Sequence, residues 1–338
     1  MEATKRSTDQ MRAVVQRAYG SAETLTIDQV NRPEAGPGEV LVEVHAAGVD
    51  RGVWHLMTGL PYLVRLAGYG ITKPKQPVPG LDVSGRVVAV GDGVARFEVG
   101  DAVFGIARGA YAEYAVAEEK SLSHKPENIS FDQAAVTAIS GITALQAVFD
   151  HGKVEAGQRV LVIGASGGVG GYAVQLAKAA GAVVTGVASG RKAALVESLG
   201  ADHVIDYGEA DYLDGRTSYD LIIDTGGRNP LRKLRRALTE QGTLVIVGGE
   251  DGDKLTGGIG RQIRAMLMSP FVSQRLVMFI SEEHHRHIDR LAEYIRRGEV
   301  TPRVGRRYGL DSVADAIADL VAGRAEGKSV IAIRQERI

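Results

Sequence analysis

The stretch of sequence that decides the fold is RVLVIGASGGVGGYAVQLAKAAGA, at residues 159–182. An apolar run, Arg159–Ile163, leads into a turn with Gly164, Gly167 and Gly170, and apolar residues at helical spacing follow. A buried strand that passes through a glycine turn into a helix is typical of a dinucleotide-binding domain. Glycine lets the backbone come close to a pyrophosphate, and the amide groups and dipole at the helix start stabilise its charge. The stretch therefore predicts a Rossmann-type, doubly wound parallel sheet that binds a dinucleotide.

The pattern of predicted secondary structure differs between the two sides of this stretch. From about Phe131 onward, apolar strand candidates alternate with helix-like segments, which favours a parallel α/β sheet. The strand candidates are Arg159–Ile163, Val183–Ala188, His203–Ile205, Asp220–Ile223 and Thr243–Val247. From Met11 to about Lys125, short apolar runs separated by turn residues predict a compact β structure. Within it, the proline-rich residues 52–80 are expected to form a long irregular excursion of the kind that covers a pocket.

The apolar run Phe271–Ile280 is expected to be the last strand of the parallel sheet. A strand at a sheet edge presents unpaired backbone groups with which a second chain can pair. We therefore expect a homodimer formed through this edge strand. Beyond it, the pattern predicts a helix over His287–Arg297, a second helix containing Val313 and Ile317, and a terminal strand over Ser329–Ile333.

The end of the second strand of the parallel sheet indicates which dinucleotide is bound. About 20 residues beyond the glycine turn, NAD-binding domains place an acidic residue that holds the ribose hydroxyls. This sequence has no acid there and reads Ala188-Ser189-Gly190-Arg191-Lys192. Cations and a hydroxyl suit a 2′-phosphate, so the sequence predicts NADPH rather than NADH. The alternative is that Arg191 and Lys192 are ordinary surface cations in the first turn of the next helix.

The composition excludes several classes of protein. The 338 residues carry 40 basic and 41 acidic side chains, and a net charge of −1 gives no field to attract nucleic acid. Without cysteine there is no disulfide, thiolate nucleophile, iron–sulfur cluster or thiolate zinc site. The first ten residues lack the apolar run of a signal peptide, and the uncharged stretch Val160–Ala177 is too rich in glycine for a membrane span. We expect a cytoplasmic protein of two domains.

Short motifs along nearly the whole chain accompany the glycine turn. They are Gly36-Pro37-Gly38-Glu39-Val40-Leu41-Val42, Pro79-Gly80-Leu81-Asp82-Val83-Ser84-Gly85, Val99-Gly100-Asp101-Ala102-Val103, Gly141-Ile142-Thr143-Ala144, Leu199-Gly200-Ala201-Asp202-His203-Val204-Ile205-Asp206-Tyr207, Asp224-Thr225-Gly226-Gly227 and Gly327-Lys328-Ser329-Val330. Together they resemble the medium-chain dehydrogenase/reductase superfamily, in particular its zinc-independent quinone oxidoreductase branch.

This resemblance implies a fold of two domains. Residues 1–134 and 285–338 would form a GroES-like, β-rich catalytic domain that the C-terminal segment completes. Residues 135–284 would form the inserted NADP-binding Rossmann domain. The cofactor would lie in the cleft between the two.

The resemblance also implies which residues bind the cofactor. These are Ser166, Gly167, Gly168 and Val169 for the pyrophosphate, Ser189, Lys192 and Tyr207 for the 2′-phosphate, Thr143 for the nicotinamide region, and Gly248 and Gly249 for close passage of the backbone. Arg191 joins the 2′-phosphate residues on the charge argument alone.

Two departures from the family's patterns bear on the reaction. Where alcohol dehydrogenases of the superfamily hold zinc through Cys and His, this chain reads Gly48-Val49-Asp50-Arg51 and Gly80-Leu81-Asp82, so we expect no metal in catalysis. Where many quinone oxidoreductases read Asn-Pro-x-Asp, it reads Asp50-Arg51-Gly52-Val53. A polar residue near the substrate is therefore altered.

The function expected from these features is NADPH-dependent transfer of hydride to a quinone or to the activated double bond of an α,β-unsaturated carbonyl. Without a metal, backbone amides, a ribose hydroxyl or a tyrosine must stabilise the developing enolate. Asp50 and Tyr62 are the candidate proton donors. Two alternatives stay open: a metal-free reductase of aldehydes or ketones, and a non-catalytic NADPH-binding scaffold protein.

Overall fold

The computed structural model describes residues 10–248, 259–325 and 327–334. The chain divides into two compact units. The first unit comprises Met1–Ile139, Glu283–Ala292 and Pro302–Ile338, and the second comprises Ser140–Glu282 and Glu293–Thr301.

Strands dominate the N-terminal part of the chain and alternate with helices farther on. The described strands are β1 (Gln10–Gln16), β2 (Leu25–Asn31), β3 (Glu39–Gly48), β4 (Asp82–Val90), β5 (Ala102–Ile106), β6 (Tyr114–Glu118), β7 (Leu122–His124), β8 (Arg159–Ile163), β9 (Val183–Ala188), β10 (His203–Asp206), β11 (Tyr219–Asp224), β12 (Leu238–Ile246), β13 (Arg275–Met278), β14 (Val304–Gly309) and β15 (Lys328–Ala332). The described α-helices are α1 (Arg51–Thr58), α2 (Tyr62–Val64), α3 (Phe131–Ala135), α4 (Ala138–Leu145), α5 (Gly168–Ala179), α6 (Ala193–Ser198), α7 (Leu231–Arg236), α8 (Ile259–Met268), α9 (His285–Arg296) and α10 (Val313–Val321).

The second unit is built on a six-stranded sheet with the strand order β10-β9-β8-β11-β12-β13. Every neighbouring pair in it is parallel. The chain winds outward from β8 first in one direction and then in the other, so the order reverses between β8 and β11. Leu161, Ile222 and Leu244 on the sheet pack with Leu234 of α7 and Ala265 of α8 in one core. The predicted α/β, Rossmann-type fold is confirmed.

The last strand of this sheet is shorter than the sequence predicted. A strand over Phe271–Ile280 is too long at both ends, because only Arg275–Met278 pairs with β12, opposite Thr243–Ile246. Before it, Ser269–Phe271 forms a 3₁₀ turn, and Ser269 Oγ accepts a hydrogen bond from the N–H of Leu276 at 3.2 Å. Among the described strands β13 does lie at the sheet edge, as expected.

The first unit is a β structure that draws on both ends of the chain. β1 and β2 pair with each other, and a larger sheet has the order β14-β15-β3-β4-β5-β7, with β6 also paired to β3. Because β15 pairs with β3, the C-terminal segment completes the sheet of the N-terminal part. Val42, Tyr111 and Ile331 lie in its shared core. The predicted GroES-like, β-rich part of the fold is confirmed.

The prolines of residues 52–80 had suggested an irregular segment, but part of this segment is helical. Asp50 Oδ1 accepts a hydrogen bond from the N–H of Val53 at 3.0 Å and caps α1. Val53 and Met57 lie four residues apart and are buried on one face of this helix, and Gly59, with φ of 63°, follows its end. An N-cap aspartate before apolar residues at helical spacing is the signal that the sequence prediction missed.

The second unit takes up residues 293–301, which the sequence-based boundaries place in the GroES-like domain. Contacts within the second unit account for this difference. The rings of Phe149 and Tyr294 stack with centroids 5.7 Å apart, and Gln175 Oε1 accepts a hydrogen bond from the N–H of Thr301 at 2.8 Å.

A buried ion pair joins the N- and C-terminal parts of the first unit. Lys328, which opens β15, binds the carboxylate of Asp82, which opens β4, and both side chains are almost completely buried. Asp82 Oδ1 also accepts a hydrogen bond from the N–H of Ile139 at 2.8 Å. Burial raises the pKa of Asp82 to about 6, while the Lys328 charge acts in the opposite direction. Each charge therefore depends on the other to remain in the core.

Replacing Lys328 by methionine should destabilise the first unit in a pH-dependent way. Removing one partner of a buried pair costs about 3–5 kcal/mol. The folded-state pKa of Asp82 already lies above its unfolded value, so the folded chain binds this proton more tightly and stability falls as pH rises through about 6. Without Lys328 the pKa rises further, and the loss should be larger at pH 8 than at pH 5. Urea unfolding followed by the fluorescence of Trp54, the chain's single tryptophan, measures it.

The matched control adds Asp82→Asn to Lys328→Met. The asparagine oxygen can still accept the bond from Ile139, and no buried charge is left unpaired. This double variant should be more stable at pH 8 than Lys328→Met and should show no such pH dependence. Equal losses at the two pH values for Lys328→Met would contradict the account.

Candidate functional site

The glycine turn after β8 is shaped by close backbone contacts. Gly164 has φ of 82°, and a Cβ atom there would lie 2.4 Å from Thr225 Oγ1. A Cβ atom at Gly170 would lie 2.1 Å from the carbonyl oxygen of Gly164. Both positions therefore require glycine, because the turn folds back on the start of α5.

The start of α5 is open to an anion. The N-cap residue is Gly167, which has no side chain to accept hydrogen bonds from the first turn. The first amide groups of a helix have no partner within the helix. The predicted residues Ser166, Gly167, Gly168 and Val169 thus lie where these amides and the helix dipole favour negative charge.

This turn lies at the point where the strand order reverses. Thr225, directly after β11, donates a hydrogen bond from Oγ1 to the carbonyl oxygen of Ile163 at 2.7 Å. The carboxyl ends of β8 and β11 are thereby joined, and α/β sheets bind ligands in the crevice outside such ends. The residues present fit a pyrophosphate at this place.

Gly248 follows β12 at the same edge of the sheet. A Cβ atom there would lie 2.2 Å from the carbonyl oxygen of Thr225, so the neighbouring turn already requires glycine. Gly249 lies outside the residues that the structure describes.

The predicted 2′-phosphate residues lie at the carboxyl ends of β9 and β10. Ser189 follows β9 and accepts a backbone hydrogen bond from Lys192 at 2.8 Å across a short 3₁₀ turn that also holds Arg191. Tyr207 follows β10, is exposed, and donates its backbone N–H to the carbonyl oxygen of Ala188 at 3.2 Å. The structure therefore brings these side chains to one edge of the sheet.

Asp206 is a nearby residue that the sequence prediction missed. It pairs with Ala188 in the parallel register, and a Cβ atom at Gly190 would lie 2.3 Å from its Oδ2. Its Oδ1 accepts a hydrogen bond from the N–H of Gly208 at 2.8 Å. A carboxylate therefore lies near the end of β9, although it belongs to the neighbouring strand. The sequence did hold a signal for Asp206, because the carboxyl ends of adjacent parallel strands meet at one edge of a sheet.

Thr143 lies on α4 in the second unit and is partly buried. All the cofactor residues predicted within the described ranges belong to this unit: Thr143, Ser166, Gly167, Gly168, Val169, Ser189, Arg191, Lys192, Tyr207 and Gly248. The two predicted proton donors, Asp50 and Tyr62, belong to the first unit.

The first unit contains a cavity of about 410 Å³. Its apolar wall includes Val53, Leu56, Met57, Val78 and Leu81, and its polar lining includes Gln16, Lys75, Gln76 and Arg108. A largely apolar cavity with a few polar groups is typical of small-molecule sites. It has room for a flat, conjugated organic molecule.

Asp50 is buried and has an unsatisfied oxygen, and Val53, from whose N–H it accepts a hydrogen bond, lines the cavity, although Asp50 itself does not. Its Oδ1 caps α1 through Val53, whereas its Oδ2 is buried without a hydrogen-bond partner. A buried oxygen of this kind is costly unless it takes up a proton or a ligand. This oxygen is therefore a candidate contact for a bound molecule.

The groups around Asp50 are also ionisable. Burial, followed by the charges of Asp50 and Asp82, raises the pKa of Tyr111, whose hydroxyl donates to the carbonyl oxygen of Gly48 at 3.1 Å. Glu283 is an exposed residue, yet desolvation of its carboxyl, together with Asp82 and Asp50, raises its pKa as well. This part of the first unit therefore favours neutral, protonated groups over further negative charge.

Tyr62 lies on α2 with an exposed side chain, and its ring faces the Arg65 guanidinium at 4.8 Å. Tyr69 lines the cavity, whereas Tyr62 is not among the described residues that line it. The structure thus gives Tyr62 a more open setting than Asp50.

The residues at the expected zinc positions do not fit zinc. Asp82 is held by Lys328 and Ile139, Leu81 offers no donor atom, and Asp50 uses one oxygen to cap α1. No group of three His, Asp or Glu side chains in the described part of the chain is placed to hold a metal ion. These residues therefore do not form a zinc site.

Within the described ranges, α-helices that combine the length and the apolar character needed to cross a membrane are absent.

Two family models match the chain. "Alcohol dehydrogenase GroES-like domain" matches residues 36–127, and "Zinc-binding dehydrogenase" matches residues 199–331. The first match lies in the first unit, and most of the second lies in the second unit.

Curated relatives are similar over almost the full chain. The chloroplastic quinone-oxidoreductase QR1 of Triphysaria versicolor is 32% identical over 95% of this chain and 98% of its own length. The 2-methylene-furan-3-one reductase of Solanum lycopersicum is 30% identical over 95% of this chain and 79% of its own.

Solved structures agree with this similarity. The quinone oxidoreductase from Coxiella burnetii has a TM-score of 0.82 at 27% identity, with 96% of this chain and 100% of that chain covered. A mycobacterial protein solved with NADPH has a TM-score of 0.80 at 26% identity, with the same coverage. These similarities support a fold that binds a nicotinamide nucleotide.

Replacing Gly170 by alanine should weaken the binding of both NADPH and NADH at least about tenfold, or about 1.4 kcal/mol. The added Cβ atom would collide with the carbonyl oxygen of Gly164 and displace the turn. Gly171→Ala is the control, because its Cβ atom would lie 3.3 Å from the flexible Leu199 side chain and 3.7 Å, an ordinary contact distance, from the carbonyl oxygen of Ala165. Calorimetric titration measures both affinities. Equal affinities for the two variants would contradict the assignment of the turn.

Proposed function

Because the chain belongs to the quinone oxidoreductase branch of the medium-chain dehydrogenase/reductase superfamily, we propose that it transfers hydride from NADPH to a quinone or to an α,β-unsaturated carbonyl. The observation that carries this proposal is the glycine turn at the start of α5, where close backbone contacts and open amide groups provide an anion site. That the chain is an oxidoreductase follows from the family. The cofactor and the acceptor are the new parts.

The proposed task of the second unit is to hold and orient the cofactor. The amides of Ser166, Gly168 and Val169 bind the pyrophosphate, whereas the N–H of Gly167 donates to the carbonyl oxygen of Gly164 at 2.9 Å. Thr143 lies beside the nicotinamide. When bound, the nicotinamide supplies a hydride from C4 to an electrophilic carbon. The protein contributes a fixed geometry, which lowers the entropy cost of bringing the reacting atoms together.

Charge at the ends of β9 and β10 supports NADPH. Arg191 and Lys192 bring two cations, and Ser189 a hydroxyl, to the place where a 2′-phosphate would lie. Asp206 opposes them with one carboxylate, of which one oxygen is already bonded to Gly208. The balance is positive, so a dianionic phosphate is favoured over the two ribose hydroxyls of NADH. Tyr207 would cover this group from the end of β10.

The acceptor is proposed to lie in the cavity of the first unit. Its apolar wall, which includes Val53 and Leu81, suits the ring or alkene of an electron-poor carbonyl compound. Lys75 and Arg108 provide N–H groups for its oxygens. The name of the Solanum lycopersicum relative, 2-methylene-furan-3-one reductase, supports an enone as acceptor.

Asp50 is proposed to hold the proton that the reduced acceptor takes up. Its buried Oδ2 has no hydrogen-bond partner, and its neighbour Val53 lines the cavity. A carboxyl group in such surroundings can act as a general acid. Tyr62, which is exposed, stays a second candidate.

A homodimer through the edge strand β13 is proposed as well. Phe271 and Ile280, on either side of this strand, are 87% and 90% exposed. Two β13 strands related by a twofold axis could pair and cover both side chains. The proposed partners are therefore a small electrophile and a second copy of the chain, and a cytoplasmic location stays a prediction.

Turnover with defined acceptors should distinguish the proposed function from its alternatives. The chain is expected to oxidise NADPH faster with quinones and enones than with aldehydes or ketones. Reversing the two cations, in Arg191→Glu/Lys192→Glu, should raise the KM for NADPH at least about tenfold and leave that for NADH nearly unchanged, because only NADPH carries the 2′-phosphate. Absorbance at the nicotinamide band measures the turnover rates with each acceptor and the KM values for NADPH and NADH.

Arg232→Glu/Arg303→Glu is the control for this assay, since both residues are exposed and the change in net charge is the same. Equal losses with NADPH and NADH would contradict the role of Arg191 and Lys192. Faster reduction of aldehydes would favour the carbonyl reductase. Tight NADPH binding without any turnover would favour the scaffold protein.

Replacing Asp50 by asparagine should lower kcat for enones by about a hundredfold, as the loss of a general acid does. Asparagine caps helices as well as aspartate does, so α1 should keep its start. The affinity for NADPH should not change. Rapid-mixing kinetics measures the change in kcat, and thermal unfolding checks that the variant is still folded. An unchanged kcat in a stable variant would remove Asp50 from the mechanism.

A further inference from the structure

The segment Tyr62–Lys75 of the first unit exposes an unusual amount of apolar surface. Leu66 and Ile71 are 73% and 69% exposed, although both are large aliphatic side chains. Three further large apolar residues within ten positions are exposed, namely Tyr62, Leu63 and Tyr69. Scattered apolar residues are normal on a protein surface, whereas a contiguous group of them marks an interaction site.

The same segment lies in a part of the chain without negative charge. Residues 51–81 contain no Asp and no Glu, although the whole chain has 41 of them. Arg51, Arg65, Lys73 and Lys75 are the Lys and Arg residues of this part. Lys73 and Lys75 are exposed, and the described structure gives neither of them an acidic partner. The apolar surface is therefore accompanied by positive charge.

Hydrogen bonds to backbone carbonyl groups hold the segment in this exposed form. The Tyr19 hydroxyl donates to the carbonyl oxygens of Tyr69, at 3.0 Å, and Gly70, at 2.6 Å. The N–H of Lys75 donates to Tyr69 at 2.8 Å, and Arg65 Nε donates to Gly59 at 3.0 Å. The apolar side chains are presented outward by an anchored backbone.

We propose that Tyr62–Lys75 is a docking surface for an anionic phospholipid bilayer. Aliphatic side chains would enter the upper part of the acyl region, tyrosines would lie at the interface, and Lys73 and Lys75 would contact the phosphates. A second copy of the chain is disfavoured as the occupant, because a twofold contact would bring the cations of one copy's patch close to the same cations of the other copy. Charge complementarity thus selects the bilayer surface.

Docking would bring the cavity of the first unit close to the bilayer. Gly68, Tyr69, Pro74 and Lys75 of the segment also line this cavity. If the cavity receives the acceptor, which rests on the proposed function, a lipophilic acceptor dissolved in the bilayer could reach it without crossing water.

Vesicle sedimentation of the full chain tests the docking surface. The chain should bind vesicles that contain phosphatidylglycerol beside phosphatidylcholine, bind vesicles of phosphatidylcholine alone much less, and be released by salt. Lys73→Glu should lower the partition coefficient at least about fivefold, since each cation near such a surface contributes about that factor. Leu66→Ser/Ile71→Ser should lower it as well. Arg303→Glu and Val99→Ser/Val321→Ser, which change exposed residues elsewhere in the first unit, should not.

The outcomes separate this proposal from the others. No binding to anionic vesicles, or equal binding of Lys73→Glu and the unchanged chain, would overturn it. If Leu66→Ser/Ile71→Ser instead dissociates an oligomer in the ultracentrifuge and vesicles are not bound, the patch contacts a second copy. A failure of the proposed function would appear separately, as absent turnover of water-soluble quinones by a chain that still binds vesicles.

Discussion

The second unit depends on one constraint, the closeness of the backbone where β8 turns into α5. A single added methyl group at Gly170 would meet the carbonyl oxygen of Gly164, and one at Gly164 would meet Thr225. The turn can therefore be built only with glycine, and in return it leaves the amides at the helix start uncovered. These amides lie at the reversal of strand order, where a parallel sheet has a crevice. Backbone packing and the proposed anion site are two consequences of the same local geometry.

The first unit has a different requirement, which is to keep charge in a core built from both chain ends. Lys328 neutralises Asp82 where β15 and β4 begin, and this leaves Asp50 as the buried carboxylate with an unsatisfied oxygen. A charge-paired Asp82 serves the sheet, whereas Asp50 keeps one buried oxygen without a hydrogen-bond partner among the described residues. The distinction explains why two neighbouring acids in the same unit are assigned different roles.

Local patterns in the sequence predicted much of the fold. The strand before the glycine turn and the next strand were bounded correctly, because buried parallel strands are apolar runs with clear turn signals at their ends. The helix α1 was missed, since the prolines after it outweighed the Asp50 cap. Asp206 was missed because its closeness to Gly190 depends on strand register, which only the assembled sheet reveals. The exposed segment Tyr62–Lys75 likewise needed the structure, as periodicity does not say which apolar residues remain uncovered.

A crystal structure of the chain with NADPH tests the central claim most directly. The account predicts pyrophosphate oxygens within hydrogen-bond distance of the backbone amides of Ser166, Gly168 and Val169, and a 2′-phosphate against Ser189 and Lys192. A pyrophosphate bound elsewhere, or a crevice that stays empty at saturating NADPH, would contradict it.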